Sequence, residues 1–198
     1  ELAMGVCCMS MVDAAASGVL YTRNPVRAED PFMLVSSIYG LGKCLVDGAL
    51  APDFFRISRT DAAVVEARVA QKPLRLVACL EGGTVEEPVP QAEQESPSLD
   101  AHQLKALHDI AVRVEEHCGG PQDIEWAINT DGEIFFLQSR DISLAAKARE
   151  AFSAASGKTL LKGGVTASPG RCVGRVTVVH SKQDIDSWRN EGRSPSIL

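Results

Sequence analysis

Two runs of alternating side chains, Gln122–Ile128 (QDIEWAI) and Glu133–Ser139 (EIFFLQS), flank the segment Asn129–Gly132 (NTDG). Alternation with a period of two is typical of a β-strand with one buried face. An Asp-Gly pair between two such runs is a strong short-range signal for a hairpin. The sequence therefore predicts a β-hairpin whose two-residue type I′ turn is Asp131-Gly132.

The predicted turn fixes which side chains of the hairpin meet. Directly opposed residues are Thr130 and Glu133, Ala127 and Phe136, Glu125 and Gln138, and Asp123 and Arg140. Because side chains alternate across a strand, the last two pairs share one face. The opposite face carries five large apolar residues, Ile124, Trp126, Ile128, Phe135 and Leu137. One face is thus predicted to be core, and the other to carry two carboxylates, an amide and a guanidinium side by side.

The polar face of this hairpin suits a site for a metal ion and a phosphate chain. Glu125 and the Gln138 carbonyl can supply the oxygen ligands that a hard cation such as Mg²⁺ prefers. Arg140 can stabilise charge on a transferring phosphoryl group, and Asp123 can hold Arg140 or a metal-bound water. The alternative that the pattern leaves open, and the more common one, is a solvated face with a cross-strand salt bridge worth at most ~1 kcal/mol.

The segment before the hairpin predicts a well-marked helix. Asp100 is a suitable N-cap, and Gln103 completes a capping box. Leu99 and Leu104 stand at the hydrophobic-staple positions, and Gly119-Gly120-Pro121 ends the helix. The histidines on or beside this helix are predicted to lie at its surface or its ends; they are His102, His108 and His117.

Shorter apolar runs upstream predict further strands. These are Val6–Val12, Ser17–Thr22, Met33–Ile38, Phe54–Ser58 and Val64–Ala70. A short helix is predicted to open at Gly40-Leu41-Gly42 and to run through Val46, and Glu81–Pro97 is predicted to be a surface loop. Downstream, residues 143–155 predict a connecting helix and Val176–Val179 a strand.

Composition excludes several classes of protein. The 198 residues carry a formal charge of −6, which argues against nucleic acid as a partner, since phosphate backbones are bound by basic faces. No apolar run reaches the roughly 18–20 residues of a membrane span, and no basic region of a secretory signal precedes the first apolar run. The six cysteines lack a C-x-x-C pair, which indicates reduced, mostly buried thiols in a cytoplasmic protein. Because position 1 is not Met and the last residues break off in an apolar run, we expect the chain to be a fragment.

Several motifs together resemble one family. The segments GGPQDIEW (119–126) and LQSR (137–140) resemble the ATP-grasp domain of phosphoenolpyruvate synthases and pyruvate, phosphate dikinases. Further segments fit the same family in order and at compatible spacing: Met11-Val12, Ser17–Thr22 with Asn24-Pro25, Gly40-Leu41-Gly42, Val46-Asp47-Gly48 and Pro52-Asp53. Ala167-Ser168-Pro169-Gly170 with Gly174 is similar to the entrance of the family's swivelling phosphohistidine domain.

The resemblance implies an α+β fold: a partial ATP-grasp domain with a mainly antiparallel sheet, followed by a short β-rich stub of the swivelling domain. Residues 1–142 would be the C-terminal part of the ATP-grasp domain, 143–160 a helical linker, and 161–198 the start of the mobile domain. In such a dikinase, ATP phosphorylates a histidine on the mobile domain, which swings to a pyruvate-binding barrel of the same full-length chain. The isolated chain is then expected to be inactive.

The resemblance also implies roles for single residues. Glu125 and Gln138 would bind Mg²⁺ and the phosphate side of ATP, Arg140 would contact the phosphates, and Asp123 would support them. A strand containing Met9, Met11 and Val12 would present main-chain groups to adenine, whose edge can be read by N–H and C=O groups. The alternative for Met9 and Met11 is ordinary core.

Three residues depart from the family pattern, and several questions stay open. Lys43 stands where the family usually has Glu, Met9 where it usually has Gln, and Asp141 where it usually has Pro. The phosphoacceptor motif T-G-G-x-x-S/C-H is not found in the chain, and His180 does not match it. A related rifampicin- or glucan-type phosphotransferase and a non-catalytic nucleotide-binding module therefore remain as alternatives. A homodimer is possible, but the sequence does not fix the oligomeric state.

Overall fold

The computed structural model describes residues 8–27, 29–79 and 81–142, together with the backbone of 175–176 and 196–197. The predicted helix at 143–155, the motif at Ala167–Gly170 and most of the predicted strand Val176–Val179 lie outside these residues. The chain divides into two compact units, Glu1–Ala148 and Arg149–Leu198. The predicted domain limits stay a prediction.

The described residues form ten strands and two helices. In chain order they are β1 (Ala14–Tyr21), β2 (Phe32–Tyr39), α1 (Lys43–Val46), β3 (Asp53–Ser58), β4 (Val64–Arg68), β5 (Leu74–Ala78), β6 (Thr84–Pro88), α2 (Ala101–Cys118), β7 (Gln122–Asn129), β8 (Ile134–Asp141), β9 (Arg175–Val176) and β10 (Ser196–Ile197). Six strands form one sheet in the order β4-β3-β2-β1-β7-β8, with every neighbouring pair antiparallel. The predicted mainly antiparallel sheet is therefore confirmed, while the ATP-grasp assignment remains a prediction.

The core lies between one face of this sheet and helix α2. Alternate residues of the strands pack with Leu104, Leu107 and Ala111 of the helix. The buried strand residues are Ala16, Leu20, Met33, Val35, Phe55, Ile57, Ile124, Trp126 and Ile128. The period of two places their neighbours on the opposite face, which α2 does not cover. No helix among the described residues is long and apolar enough to cross a membrane.

Helix α2 begins and ends as the sequence predicts. The Asp100 carboxylate accepts from the Gln103 N–H at 2.7 Å, and the Gln103 side chain accepts from the Asp100 N–H at 2.9 Å. Gly119 follows in the left-handed conformation with φ 74°. Leu99 and Leu104, the two staple residues, both lie in the core. His108 is an exception to the prediction, since it is buried with Nε2 2.9 Å from the Arg59 carbonyl.

The close approach of β1, β2 and β7 depends on Gly18. A Cβ at this position would lie 1.9 Å from the Ser36 carbonyl oxygen and 2.7 Å from Cζ2 of Trp126. Gly18 and Trp126 are opposed in the β1–β7 ladder. The missing side chain therefore makes the space in which the Trp126 indole, 1% exposed, is buried.

Three predictions about the upstream half are wrong. Residues 8–13 are not a strand, and Met9 and Met11 are 66% and 67% exposed, because the ladder of β1 begins only at Ala14. The segment Glu81–Pro97 is not all loop: its β6 pairs with β5 around a turn at Gly82-Gly83. Most side chains of β6 are exposed, so alternation did not reveal it. The four described cysteines are free, but none is fully buried: Cys8, Cys44, Cys79 and Cys118.

Candidate functional site

The β7–β8 hairpin places the two predicted polar pairs together, by a different route from the one predicted. Glu125 opposes Gln138, and Asp123 opposes Arg140. The turn, however, has three residues, since Asn129 N–H donates to the Glu133 carbonyl at 3.0 Å and Gly132 has φ 84°. The predicted pairs Thr130–Glu133 and Ala127–Phe136 are therefore wrong, and Ala127 opposes Phe135.

A β-bulge restores the register. The ladder shifts between Glu125 and Trp126, so that Leu137 is an extra residue in β8. The longer turn places Ile134 and Phe136 against the core and leaves Phe135 38% exposed, and the bulge places Leu137 in a cleft on the other face. The prediction that Phe135 and Leu137 lie on the core face is wrong, because a longer turn exchanges the faces of the residues next to it. Bulges re-aim side chains in this way and are common beside functional sites.

The face of the sheet opposite α2 forms a floor across β1, β7 and β8. We define the floor by Ser17, Val19, Tyr21, Asp123, Glu125, Ala127, Leu137, Gln138 and Arg140. Its opposed residues form rows: Val19, Glu125 and Gln138 in one, and Tyr21, Asp123 and Arg140 in the next. The floor is apolar at the Ala127 end and charged at the Asp123 end.

Asp123 and Arg140 form an ion pair at the charged end. Arg140 Nε donates to Asp123 Oδ2 at 2.7 Å, and this hydrogen bond and the Asp123 charge raise the pKa of Arg140. Asp123 is buried, whereas the Arg140 side chain is 61% exposed. Asp123 Oδ1 is buried and has no hydrogen-bond partner among the residues that the structure describes. The pair therefore leaves the Arg140 guanidinium accessible to solvent, while Asp123 Oδ1 stays buried.

Tyr21 is a floor residue that the sequence reasoning missed. It lies directly opposite Asp123 in the β1–β7 ladder. Burial and the Asp123 charge raise the pKa of the Tyr21 hydroxyl, while the Arg140 charge acts in the opposite direction. The phenol is therefore a protonated hydrogen-bond donor at neutral pH. No local signal identifies it, because the pairing of β1 with β7 joins segments that are distant in the sequence.

A cleft of about 220 Å³ opens at the apolar end of the floor. It is lined by Met9, Ser10, Met11, Val12, Ala14, Ser17, Leu41, Gly42, Ala127 and Leu137. The structure thus brings the predicted Met9–Val12 segment to the cleft, although as irregular chain. Ser17 Oγ donates to the Gly40 carbonyl at 2.5 Å, which ties the loop carrying Leu41 and Gly42 to the floor. Four strand residues at ~3.3 Å each separate Ala127 from Asp123, so the cleft lies about 13 Å from the charged end.

Two of the departures from the family pattern have local explanations in the structure. Lys43 lies on the exposed surface of α1, and a hydrogen bond to Asp47 raises its pKa. Asp141 accepts a hydrogen bond from Gln122 Nε2 at 2.6 Å, and Gln122 Oε1 accepts one from Ser139 Oγ at 2.7 Å. Lys43 is thus paired with the residue that caps the end of its helix, and Asp141 helps to join the ends of β7 and β8.

The floor offers oxygen donors that suit a magnesium ion. The described residues contain no group of three or more His, Cys, Asp and Glu side chains suited to hold a metal by themselves. The opposed Glu125 and Gln138 nevertheless offer oxygen ligands, and the unsatisfied Asp123 Oδ1 lies in the next row. Mg²⁺ is typically held by one or two carboxylates plus substrate phosphates, so this donor set fits.

Comparison with known proteins gives one family and a consistent set of relatives. The sequence profile of the family described as "Pyruvate phosphate dikinase, AMP/ATP-binding domain" matches residues 1–158. A probable phosphoenolpyruvate synthase of Methanothermobacter thermautotrophicus is 33% identical over 183 residues, which cover 92% of this chain and 26% of the relative. The phosphoenolpyruvate synthase of Pyrococcus furiosus is 33% identical over 186 residues, which cover 89% and 23%.

A relative that is named for another activity also matches. The rifampicin phosphotransferase of a Streptomyces species is 38% identical over 140 residues, which cover 71% of this chain and 16% of the relative. The chain spans about a quarter of the length of the first curated relatives that it matches. The comparisons therefore concern one part of much longer proteins.

Proposed function

Because this chain belongs to the family of pyruvate phosphate dikinase AMP/ATP-binding domains, we propose that it is a nucleotide-binding part of a phosphoenolpyruvate synthase-like dikinase. In the full-length protein, ATP would phosphorylate a histidine on a mobile domain, and the phosphohistidine would transfer its phosphoryl group to pyruvate. The observation that carries the proposal is the floor, where an apolar cleft and a charged end share one sheet face.

The layout of the floor supports one direction for the nucleotide. The apolar cleft suits a base, whose edge main-chain groups of Met9–Val12 would read. The phosphate chain would then extend along β7 toward Glu125 and Asp123. The distance of about 13 Å from Ala127 to Asp123 is comparable to the length of an extended nucleoside triphosphate. Arg140 would contact the phosphates, since most of its side chain is accessible although Asp123 holds its Nε.

Glu125 and Gln138 would hold magnesium, with Asp123 beside them in the next row of the floor. The bound ion supplies charge neutralisation for the phosphates. Asp123 orients the Arg140 guanidinium, and Arg140 stabilises negative charge that develops on the transferring group. Such preorganised charge is the main contribution that a protein makes to phosphoryl transfer.

The test uses the full-length protein with ATP and Mg²⁺. We expect an acid-labile phosphohistidine, detected by mass spectrometry, and a phosphoryl transfer to pyruvate that yields phosphoenolpyruvate. The 198-residue chain alone is expected to give neither. A full-length protein that binds ATP but forms no phosphohistidine would instead support the non-catalytic nucleotide-binding module.

A second candidate differs only in the final acceptor. The match to a rifampicin phosphotransferase favours it. Offering pyruvate and rifampicin separately to the phosphorylated full-length protein distinguishes the two, because only the correct acceptor discharges the phosphohistidine. Discharge by rifampicin and not by pyruvate would replace the first proposal.

A further inference from the structure

We infer that Tyr21 is a further binding residue of the floor, and that its phenol hydroxyl donates a hydrogen bond to the phosphate chain of a nucleoside triphosphate. The inference rests on the proposed function and adds a specific residue to it. It concerns a neutral donor, whereas the residues assigned so far are charged groups, an amide and main-chain groups.

The position of Tyr21 carries the first step. Tyr21 and Asp123 are directly opposed, and opposed side chains of antiparallel strands have Cβ atoms about 4.5–5.5 Å apart. Asp123 in turn opposes Arg140, so the three residues form the last row of the floor, the row farthest from the cleft. A ligand with its base in the cleft therefore places its phosphates at this row.

The charges of the row carry the second step. The charged end holds two carboxylates, Asp123 and Glu125, but one guanidinium, and Arg140 is already paired with Asp123. An anionic phosphate chain here needs donors that bring no further negative charge. A neutral phenol meets this need, and burial together with the Asp123 charge raises the pKa of Tyr21 above its ordinary value.

The Tyr21 hydroxyl is available to donate a hydrogen bond to a ligand. Two residues of the floor bear hydroxyl groups, Ser17 and Tyr21. Ser17 Oγ is already used, because it donates to the Gly40 carbonyl at 2.5 Å. Asp123 Oδ2 accepts from Arg140, and Asp123 Oδ1 has no hydrogen-bond partner among the described residues, so the opposed Tyr21 phenol does not donate to Oδ1. The hydroxyl of Tyr21 therefore remains the donor that a ligand can take.

The experiment compares Tyr21→Phe with Tyr39→Phe in the full-length protein. Both changes remove one phenol oxygen and keep the ring. Tyr39 lies on the opposite face of the sheet, opposed to the buried Ala16, and its hydroxyl is 3.2–3.3 Å from the carbonyl oxygens of Glu93, Ser96 and Pro97, one of which can accept its proton. Binding is measured by calorimetry with two probes: the Mg²⁺ complex of the β,γ-imido analogue of ATP, which cannot transfer its terminal phosphate, and adenosine, which has no phosphate.

For Tyr21→Phe we expect the analogue to bind about tenfold more weakly, the scale for a lost hydrogen bond to a charged group, while adenosine binding stays unchanged. Tyr39→Phe is expected to leave both affinities unchanged. Unchanged analogue binding in Tyr21→Phe would overturn the inference, and so would equal weakening of analogue and adenosine. If the unaltered full-length protein binds neither probe, the proposed function itself fails, and this inference fails with it.

Discussion

Two buried aspartates of this chain differ in how completely they are paired. Both oxygens of Asp53 are bonded: Lys72 Nζ donates to Oδ1 at 2.6 Å, and Ser98 donates to Oδ2 through its N–H and its hydroxyl at 2.7 Å each. Asp123 has one paired oxygen and one orphan. A buried polar atom without a partner is unfavourable, and an ordered water or a ligand can satisfy it. Asp53 is therefore paired through both oxygens within the chain, whereas Asp123 is paired through one oxygen among the described residues.

Substitutions on the floor test the assigned roles directly. We expect Arg140→Ala and Glu125→Ala each to slow phosphohistidine formation in the full-length protein by at least ~100-fold, the scale for losing one preorganised electrostatic contact. Single-turnover measurement with ATP and Mg²⁺ gives the rate. Arg113→Ala, on the exposed surface of α2, is the matched control. Rates near that of the unaltered protein would favour the alternative interpretation, in which this face is solvated and carries only a cross-strand salt bridge.

Glu115 provides a prediction for the dependence of stability on pH. Burial alone would raise its pKa, but hydrogen bonds from Thr22 and Arg59 and the charges of Arg59 and Arg23 outweigh burial, so the pKa lies below its ordinary value. Arg59 binds both carboxylate oxygens, at 2.9 and 3.0 Å. The stabilisation is therefore complete above the ordinary value near 4.5 and is lost as the pH falls through the lowered value, because the unfolded chain takes up the proton first.

We accordingly expect Glu115→Gln to lower the free energy of unfolding by about 1–3 kcal/mol at pH 7, the scale for hydrogen bonds to a charged group. The difference from the unaltered chain should shrink below pH 4.5. Denaturant unfolding of the chain at several pH values measures both effects. Glu116→Gln changes the same residue type at an exposed neighbouring position and should do neither. A pH-independent difference would contradict the assignment.

Among the strands, the contact between β1, β2 and β7 leaves no room for a side chain at Gly18. Gly18→Ala should destabilise the chain by about 3 kcal/mol, since the new methyl group would collide with the backbone of β2 and with the Trp126 ring. The control is Gly120→Ala, where an added Cβ meets nothing within 4 Å. Thermal unfolding of both variants gives the comparison. Equal transition temperatures would show that the sheet opens to accept the methyl group.

The elements were predictable where the signal is local. Helix α2 carries its start and stop in neighbouring residues, and the β7–β8 hairpin carries its alternation and its Asp-Gly pair. The length of the turn was not predictable, because Asp-Gly fits the end of a three-residue turn as well as a two-residue one. The strand β6 was missed because its side chains face solvent, which removes the contrast between faces.

Across the chain as a whole, the buried pair of Lys72 and Asp53 joins the segment beside the β5–β6 hairpin to the main sheet. Lys72 is 1% exposed and Asp53 is fully buried. Removing one partner of a buried pair leaves the other charge uncompensated, so Lys72→Met should destabilise the chain by about 3 kcal/mol or more. Lys105→Met, which breaks an exposed pair with Asp109, should have little effect on denaturant unfolding. A small loss of unfolding free energy in Lys72→Met would mean that the hydrogen bonds from Ser98 are enough to stabilise the buried Asp53 carboxylate.

Contacts between residues that are far apart in the sequence could not be predicted from the sequence. The motif around Pro52-Asp53 suggested family membership but not that Asp53 bonds to Ser98, 45 positions later. Tyr21 became a candidate only when β1 was found beside β7. In contrast, the Asp123–Arg140 and Glu125–Gln138 pairs lie within one hairpin and were predicted, although only because the extra turn residue and the bulge at Leu137 offset each other in the register.

The bulge at Leu137 has a consequence for how this part of the chain could diverge. Because Leu137 is the extra residue between two intact stretches of the ladder, a lineage that lost it could still oppose Glu125 to Gln138 and Asp123 to Arg140. Such a deletion would remove a wall of the apolar cleft and leave the charged row in place. Under the proposed function, loss of this one residue would change the shape of the nucleobase cleft in descendants of the chain without moving the residues proposed to contact phosphate.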